Sequence, residues 1–314
     1  MARIVIAGAG ALGSIYGGLL AAAGADVVLL ARGAHAEAIH SGGLRLEIAG
    51  RESVVDVPVA ERATGGVVVV TAKCFDTGAV LERVGGAPEL AVSFQNGPGK
   101  NEALARRFGA ETVVGGASNV PAELTAPGCV RSEGLGATFL GELTGGSSER
   151  VEALAGALGS AGLETHAVTD IESVEWSKLA QVAAFMAVQA ITKRPVHELV
   201  LAEDGRALLT GIVTEVVALA VAAGVAVRDR PGLLPVEAIA RGDAAGLASL
   251  AAFGERLLGA GRTAYRTSML QAIEAGRRTE LEGIHGELVR RAEALGVAAP
   301  VLGTCYRLVA LGGT

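Results

Sequence analysis

Aromatic residues make up only 3% of the 314-residue chain, with a single tryptophan. Half of the sequence is hydrophobic, so small aliphatic side chains must fill its cores. Cysteine is scarcer still. Cys74, Cys129 and Cys305 show no C-x-x-C pair and no metal-ligand spacing. That excludes a disulfide framework, leaves no metal site to assign, and suits a reducing, cytoplasmic setting. Positive charge is also short, the net charge being −6. Such a balance argues against nucleic acid as the partner. The start, Met1-Ala-Arg3, runs straight into an apolar strand, so no signal peptide is expected. One apolar run, residues 207–227, nearly reaches bilayer length. Glu215 near its centre favours a helix buried in an all-α domain over a membrane span.

Glycine, by contrast, is abundant, and three glycines stand where they carry meaning. Ile4 to Ala7 is an apolar run suited to a buried strand, followed by Gly8-Ala9-Gly10-Ala11-Leu12-Gly13 and an Ala-rich helix. Strand, G-x-G-x-x-G turn and helix in that order are what a dinucleotide-binding unit requires, the alternative being a glycine turn in an ordinary α/β protein. Gly8 permits the tight turn, Gly10 lets the backbone approach a pyrophosphate, and Gly13 packs helix on strand. The second strand, Asp26 to Leu30, ends at Ala31-Arg32 rather than at the acid that holds the ribose of NAD. A cation there suits the 2′-phosphate of NADP, a plain surface arginine being the alternative.

Further short strands are expected at 44–48, 53–59, 67–70, 90–94 and 112–116, with a crossover helix over 76–84. Antiparallel strands are expected within 129–140, a helix over 148–161 and a last strand at 164–168. Lys73 and Asn96 follow two of these strands, at the carboxyl ends where such sheets bind ligands. Taken alone, Asn96-Gly97 is also an ordinary turn pair. From Ile171 the pattern is helical almost to the end, which puts a domain boundary near Asp170. The fold class is therefore an α/β N-terminal Rossmann-type domain, 1–170, followed by an all-α C-terminal domain, 171–314.

Only four of the 27 cationic residues are lysines: Lys73, Lys100, Lys178 and Lys193. A chain that writes its surface cations as arginine has reason to use lysine where a proton must be given up. Carbonyl reduction by hydride needs such a donor, and Lys178 lies early in the first long helix of the second domain. A snorkelling surface lysine remains the alternative. Ser268 and Glu280 are further candidates. Each also fits a helix start, Ser268 with Gln271 as S-x-x-Q, and Thr279 with Glu282 as T-x-x-E, which would make Glu280 a first-turn acid.

Together these segments resemble the ketopantoate reductase (2-dehydropantoate 2-reductase) family over nearly the whole chain. The resemblance rests on Gly8-Ala-Gly-Ala-Leu-Gly13, Arg32, Thr71-Ala-Lys73, Gln95-Asn-Gly97, Trp176-Ser-Lys-Leu179, Thr267-Ser-Met-Leu-Gln271 and Arg278-Thr-Glu280, in that order. It implies NADPH reducing a 2-oxo acid to a 2-hydroxy acid, as in pantothenate biosynthesis, with the active site between the two domains. It implies Lys178 as proton donor and Glu280 as a substrate contact or positioning group. It places Asn96 near nicotinamide and substrate, Ser268 on the substrate carboxylate, and Lys73 and Arg32 with the glycine turn at the cofactor.

One departure is informative. The family helix typically reads K-x-x-x-N-x-x-x-N, with a further asparagine beyond, and those amides line the pantoate pocket. Here the corresponding residues are Val182, Met186 and Val196. Phe185 and Gln189 also fall near the direction of Lys178, so that face offers one amide and three apolar groups. The expected substrate is then either ketopantoate or a more apolar carbonyl compound. A non-catalytic NADP-binding sensor is the third reading, and Lys178 and Glu280 argue against it. An apolar helical domain also makes a homodimer plausible.

Overall fold

The computed structural model describes residues 2–230 and 232–312. The chain divides into two compact units, Met1–Gln95 with Gly99–Ile171, and Asn96–Pro98 with Glu172–Thr314.

Among the described residues, fourteen strands lie in the first unit. In chain order they are β1 (Ile4–Ala7), β2 (Val27–Leu30), β3 (Leu44–Ile48), β4 (Arg51–Val55), β5 (Val59–Ala60), β6 (Ala63–Thr64) and β7 (Val67–Val70). There follow β8 (Val84–Gly85), β9 (Leu90–Ser93), β10 (Val113–Ser118), β11 (Glu123–Ala126), β12 (Cys129–Ser132), β13 (Thr138–Glu142) and β14 (Thr165–Ala167). Eight form the main sheet, in the order β14-β13-β10-β9-β7-β1-β2-β5. Its strands pair in parallel except β13 against β10. From β5 to β10 this is the doubly wound order, which reverses between β1 and β7. The central strands are buried along their whole length and read IVIA, VVLL, VVVV and LAVS. Such runs suit a sheet covered on both faces. Their alternation divides two cores: Ile4, Ile6, Val27 and Leu29 face one, Val5, Ala7, Val28 and Leu30 the other.

Two expectations need correction. The crossover predicted over 76–84 is a 3₁₀ turn, Cys74–Asp76, and a short helix, Thr77–Leu81. It stops there because Val84 and Gly85 are drawn into pairing with Ala63 and Thr64. The 129–140 segment is not wholly antiparallel: β12 pairs antiparallel with β11 but parallel with β3, in a second sheet of order β11-β12-β3-β4. The helix Ala11–Ala22 packs closely on that sheet, since a Cβ on Gly18 would stand 2.9 Å from Leu44 Cδ2.

The second unit is helical. Its helices are Ile171–Thr192, Val196–Leu201, Glu203–Ala222, Val236–Ala240, Ala244–Gly259, Ser268–Glu274, Glu287–Leu295 and Pro300–Leu311, with one π-helical turn, Glu282–Gly286. Glu203–Ala222 is long and apolar enough to cross a membrane. Leu209, Ile212, Val213, Val216 and Leu219 set one side of it into the unit's core. Glu215 accepts from the backbone N–H groups of Val301 (2.9 Å) and Leu302 (2.7 Å), supplying acceptors at the start of the last helix.

Candidate functional site

The glycine turn after β1 has the shape of a phosphate cradle. Gly8 has φ +110°, and a Cβ there would stand 2.5 Å from the Ala72 backbone nitrogen. A Cβ on Gly13 would collide with the Gly8 carbonyl and lie 2.5 Å from Thr71 Oγ1. Thr71 Oγ1 itself donates to the Gly8 carbonyl at 2.7 Å, tying the turn after β1 to the turn after β7. Gly10 differs: a Cβ there would meet nothing within 4 Å. The helix that begins beside it, Ala11–Ala22, has no side-chain cap. Open space above an uncapped helix start suits the pyrophosphate of a dinucleotide, so these residues fit the cofactor. His35 braces the arrangement. Its Nδ1 accepts from the Gly128 N–H at 2.9 Å, so Nε2 carries the proton and donates to Ser14 Oγ at 3.0 Å. Burial lowers its pKa, in keeping with that neutral form.

Arg32 is exposed at the start of the helix Gly33–Gly42, with extended backbone. Arg83 donates through Nη2 to the Ala31 carbonyl (3.0 Å) and through Nε to the Glu61 carbonyl (2.6 Å). Arg62 donates to the Glu82 carbonyl at 3.1 Å. The Arg83 pKa is lowered first by burial and then by the charges of Arg32 and Arg62, against the opposing pull of Glu61. Three guanidinium groups thus converge where β2 ends. Arg62 and Arg83 carry no sequence signal of this role, because their placement depends on the β6–β8 pairing. Lys73 is exposed directly after β7, at the start of the 3₁₀ turn.

The four lysines are used differently. Lys100 donates to the carbonyls of Ser93 (3.0 Å) and Gly116, bridging β9 and β10. Lys193 is exposed, with φ +59°, just past a helix end. Lys178 is half-buried, and its Nζ donates to Asn96 Oδ1 at 2.9 Å within the second unit. Asn96 is therefore more than a turn residue. Its neighbour Gln95 is pinned by bonds from Nε2 to the Ala72 carbonyl and to Thr77 Oγ1, both 2.8 Å.

Neither capping box forms as read. Thr267, not Ser268, caps the helix Ser268–Glu274 by accepting from Leu270 N–H, and Gln271 Nε2 reaches back to the Arg266 carbonyl. Ser268 is thereby the first helical residue, half-buried. Thr279 accepts from Leu281 N–H at 3.4 Å, while Glu282 accepts from the Tyr306 hydroxyl at 2.7 Å instead of returning to Thr279. Glu280 precedes the π-helical turn and is 7% exposed. From that turn, buried His285 donates through Nε2 to the Ala183 carbonyl at 2.9 Å.

Val182 is half-buried and packs against the unit's core. Phe185 and Met186 lie within that core, Met186 being 4% exposed. Val196 is fully buried at the start of its own helix. Gln189, expected as the one amide on the Lys178 face, is 0% exposed and bonded wholly to backbone. Its Oε1 accepts from Thr267 N–H (2.6 Å), and its Nε2 donates to the carbonyls of Tyr265 (3.0 Å) and Arg194 (3.1 Å).

Two family models match the chain: "Ketopantoate reductase PanE/ApbA" over residues 4–145, and "Ketopantoate reductase PanE/ApbA C terminal" over residues 170–312. A relative named 2-dehydropantoate 2-reductase, from Halobacterium salinarum, is 32% identical over 98% of each chain. The crystal structure of 2-dehydropantoate 2-reductase from Geobacter metallireducens matches with a TM-score of 0.84 and 29% identity, over 99% of each chain. D-mandelate dehydrogenase, solved with NADH and anilino(oxo)acetate, shares the fold at a TM-score of 0.83 and 23% identity, over 98% of this chain and 97% of that one. An α/β unit, a helical unit and a family match across both make this chain an oxidoreductase that belongs to the ketopantoate reductase family.

Proposed function

We propose that the protein reduces a 2-oxo acid to the 2-hydroxy acid with NADPH, the first unit binding the cofactor and the second supplying substrate contacts and acid. The bond from Lys178 Nζ to Asn96 Oδ1, at 2.9 Å, carries the reading. It fixes the ammonium group of a rare lysine beside Asn96, in the turn that follows β9. When bound, the dinucleotide supplies the hydride to the carbonyl carbon. Lys178 gives a proton to the carbonyl oxygen, which leaves a hydroxyl, and the neutral amine regains its proton from solvent. Ser268 binds the substrate carboxylate through its hydroxyl, and Glu280 orients the substrate from its buried position.

NADPH over NADH is supported by Arg32, Arg62 and Arg83, three cations that suit the charge of a 2′-phosphate. A charge-assisted hydrogen bond is worth roughly 1.5–3 kcal/mol. NADPH should therefore bind at least about tenfold more tightly than NADH, by fluorescence titration, and Arg32→Ala or Arg83→Gln should narrow that gap. Equal affinities in the unaltered protein would remove the NADPH assignment.

A second reading concerns the substrate. Ketopantoate, the substrate of the relatives' named reaction, is the first candidate. The occupied amide of Gln189 favours a more apolar 2-oxo acid, because Val182, Phe185 and Met186 cannot pair with a hydroxyl. A comparison of ketopantoate with 3,3-dimethyl-2-oxobutanoate, which lacks only its hydroxyl oxygen, decides between them. Sites built to bind a hydroxyl reject the analogue by on the order of 10⁴-fold. Comparable kcat/KM for the two acids is expected here, and a ketopantoate preference of that size would establish the first candidate.

A further inference from the structure

We infer that Gln189 is a positioning residue for substrate binding: its buried amide sets the turn that presents Ser268. The inference rests on the reading of Ser268 as the carboxylate contact. Two other segments of the second unit, the turn 265–267 and the residues just past the helix end, meet on this one side chain. The carbonyl oxygen accepts from Thr267 N–H, the residue before Ser268, and the nitrogen donates to the carbonyls of Tyr265 and Arg194. The amide uses both of its N–H donors and one acceptor position, and no solvent reaches it.

The consequence follows through the helix start. Thr267 has extended backbone and caps the helix Ser268–Glu274 with its hydroxyl. Its own N–H, outside the helical ladder, has Gln189 as acceptor. Tyr265, two residues earlier, is tied to the same amide through its carbonyl. Both ends of the turn Tyr265-Arg266-Thr267 are thus held from the helix Ile171–Thr192, which also carries Lys178. The direction of the Ser268 hydroxyl is set by that turn, and the distance along one rigid helix relates it to the proton donor. Gln189 touches no reacting atom in this scheme and acts only through Ser268.

The experiment is steady-state kinetics with 3,3-dimethyl-2-oxobutanoate and ketopantoate on the full chain, for Gln189→Leu, Ser268→Ala and the double variant, alongside NADPH titration. Gln189→Leu should raise KM for the 2-oxo acid about tenfold or more, while the NADPH Kd stays within about twofold and kcat at saturation falls by less than about threefold. A purely structural role would lower the active fraction, and so kcat, without this KM effect. Ser268→Ala should raise KM as well, and the double variant should be no worse than about twofold beyond the weaker-binding single. Gln189→Asn, which keeps the amide on a stem one methylene shorter, should fall between the unaltered protein and Gln189→Leu. It serves as the readout if Gln189→Leu does not fold. An unchanged KM in the Gln189 variants, with a raised one in Ser268→Ala, overturns the inference alone. Multiplicative effects in the double variant overturn the route through Ser268. An unchanged KM in Ser268→Ala overturns the serine reading and the inference with it.

Discussion

Lys178 differs from Lys100 in what it donates to. Lys100 is committed to two strand carbonyls and Lys193 ends a helix on the surface, whereas Lys178 reaches a side-chain amide. An amide oxygen can be left for a better acceptor during reaction, and a strand carbonyl pair cannot without disturbing the sheet. Lys178→Ala should lower kcat by about 10²–10⁴, the usual worth of a general acid. NADPH affinity should change little, because the phosphate turn and the arginine cluster lie in the other unit. Arginine at 178 should not restore the rate, since a guanidinium keeps its proton. Turnover of the alanine variant at the unaltered rate would end the proton-donor role.

At the level of elements, the helix Ile171–Thr192 carries Lys178, the apolar positions Val182, Phe185 and Met186, and Gln189 on one rod. The half-buried Val182 and the buried Met186 predict different outcomes for the same substitution. Val182→Asn places an amide where it can still find a partner, and should move kcat/KM towards ketopantoate over 3,3-dimethyl-2-oxobutanoate. Met186→Asn places an unpaired amide in a hydrophobic core and should cost about 1–3 kcal/mol of stability, read as a lowered Tm. If Val182→Asn leaves the substrate ratio unchanged, that position does not read the substrate. Elements of this kind show what a sequence exposes. The glycine turn, the buried strands and the long helices were legible because their signals are local: a turn that only glycine fits, and apolar runs of fixed length. One helix cap falls a position earlier than Ser268, since Thr267-Ser268 offers two hydroxyls in a row and tertiary contact with Gln189 selects the first. Asn96 was legible as a candidate but not separable from a plain turn until Lys178 was seen to donate to it. Arg83 was silent, because its place beside Arg32 arises from pairing between distant strands.

For the molecule as a whole, the second unit carries a built-in acid sensitivity at His285. The imidazole is fully buried, donates its only N–H to the Ala183 carbonyl, and has no partner at Nδ1 among the described residues. Burial pushes its pKa down from 6.5 to about 4, the bond to Ala183 opposing only in part. The unfolded chain therefore takes up a proton near pH 6.5 that the folded unit refuses until about pH 4. Stability attributable to this group is complete above pH 6.5 and declines as pH falls towards 4, by about 3 kcal/mol in all. His35 and the carboxylates add their own dependence, so the test is a difference between two proteins. His285→Gln keeps a donor able to reach the Ala183 carbonyl and removes the titration. Trp176, the single tryptophan of the chain, packs against the core of this same unit, so its fluorescence reports this unit's unfolding. Urea midpoints followed by that signal should fall between pH 7 and pH 4.5 more steeply for the unaltered protein than for His285→Gln. The two lines should converge in slope above pH 7, where His285 is neutral in both folded and unfolded states. Parallel lines through the acid range would mean that the buried imidazole is not what makes this unit sensitive to acid.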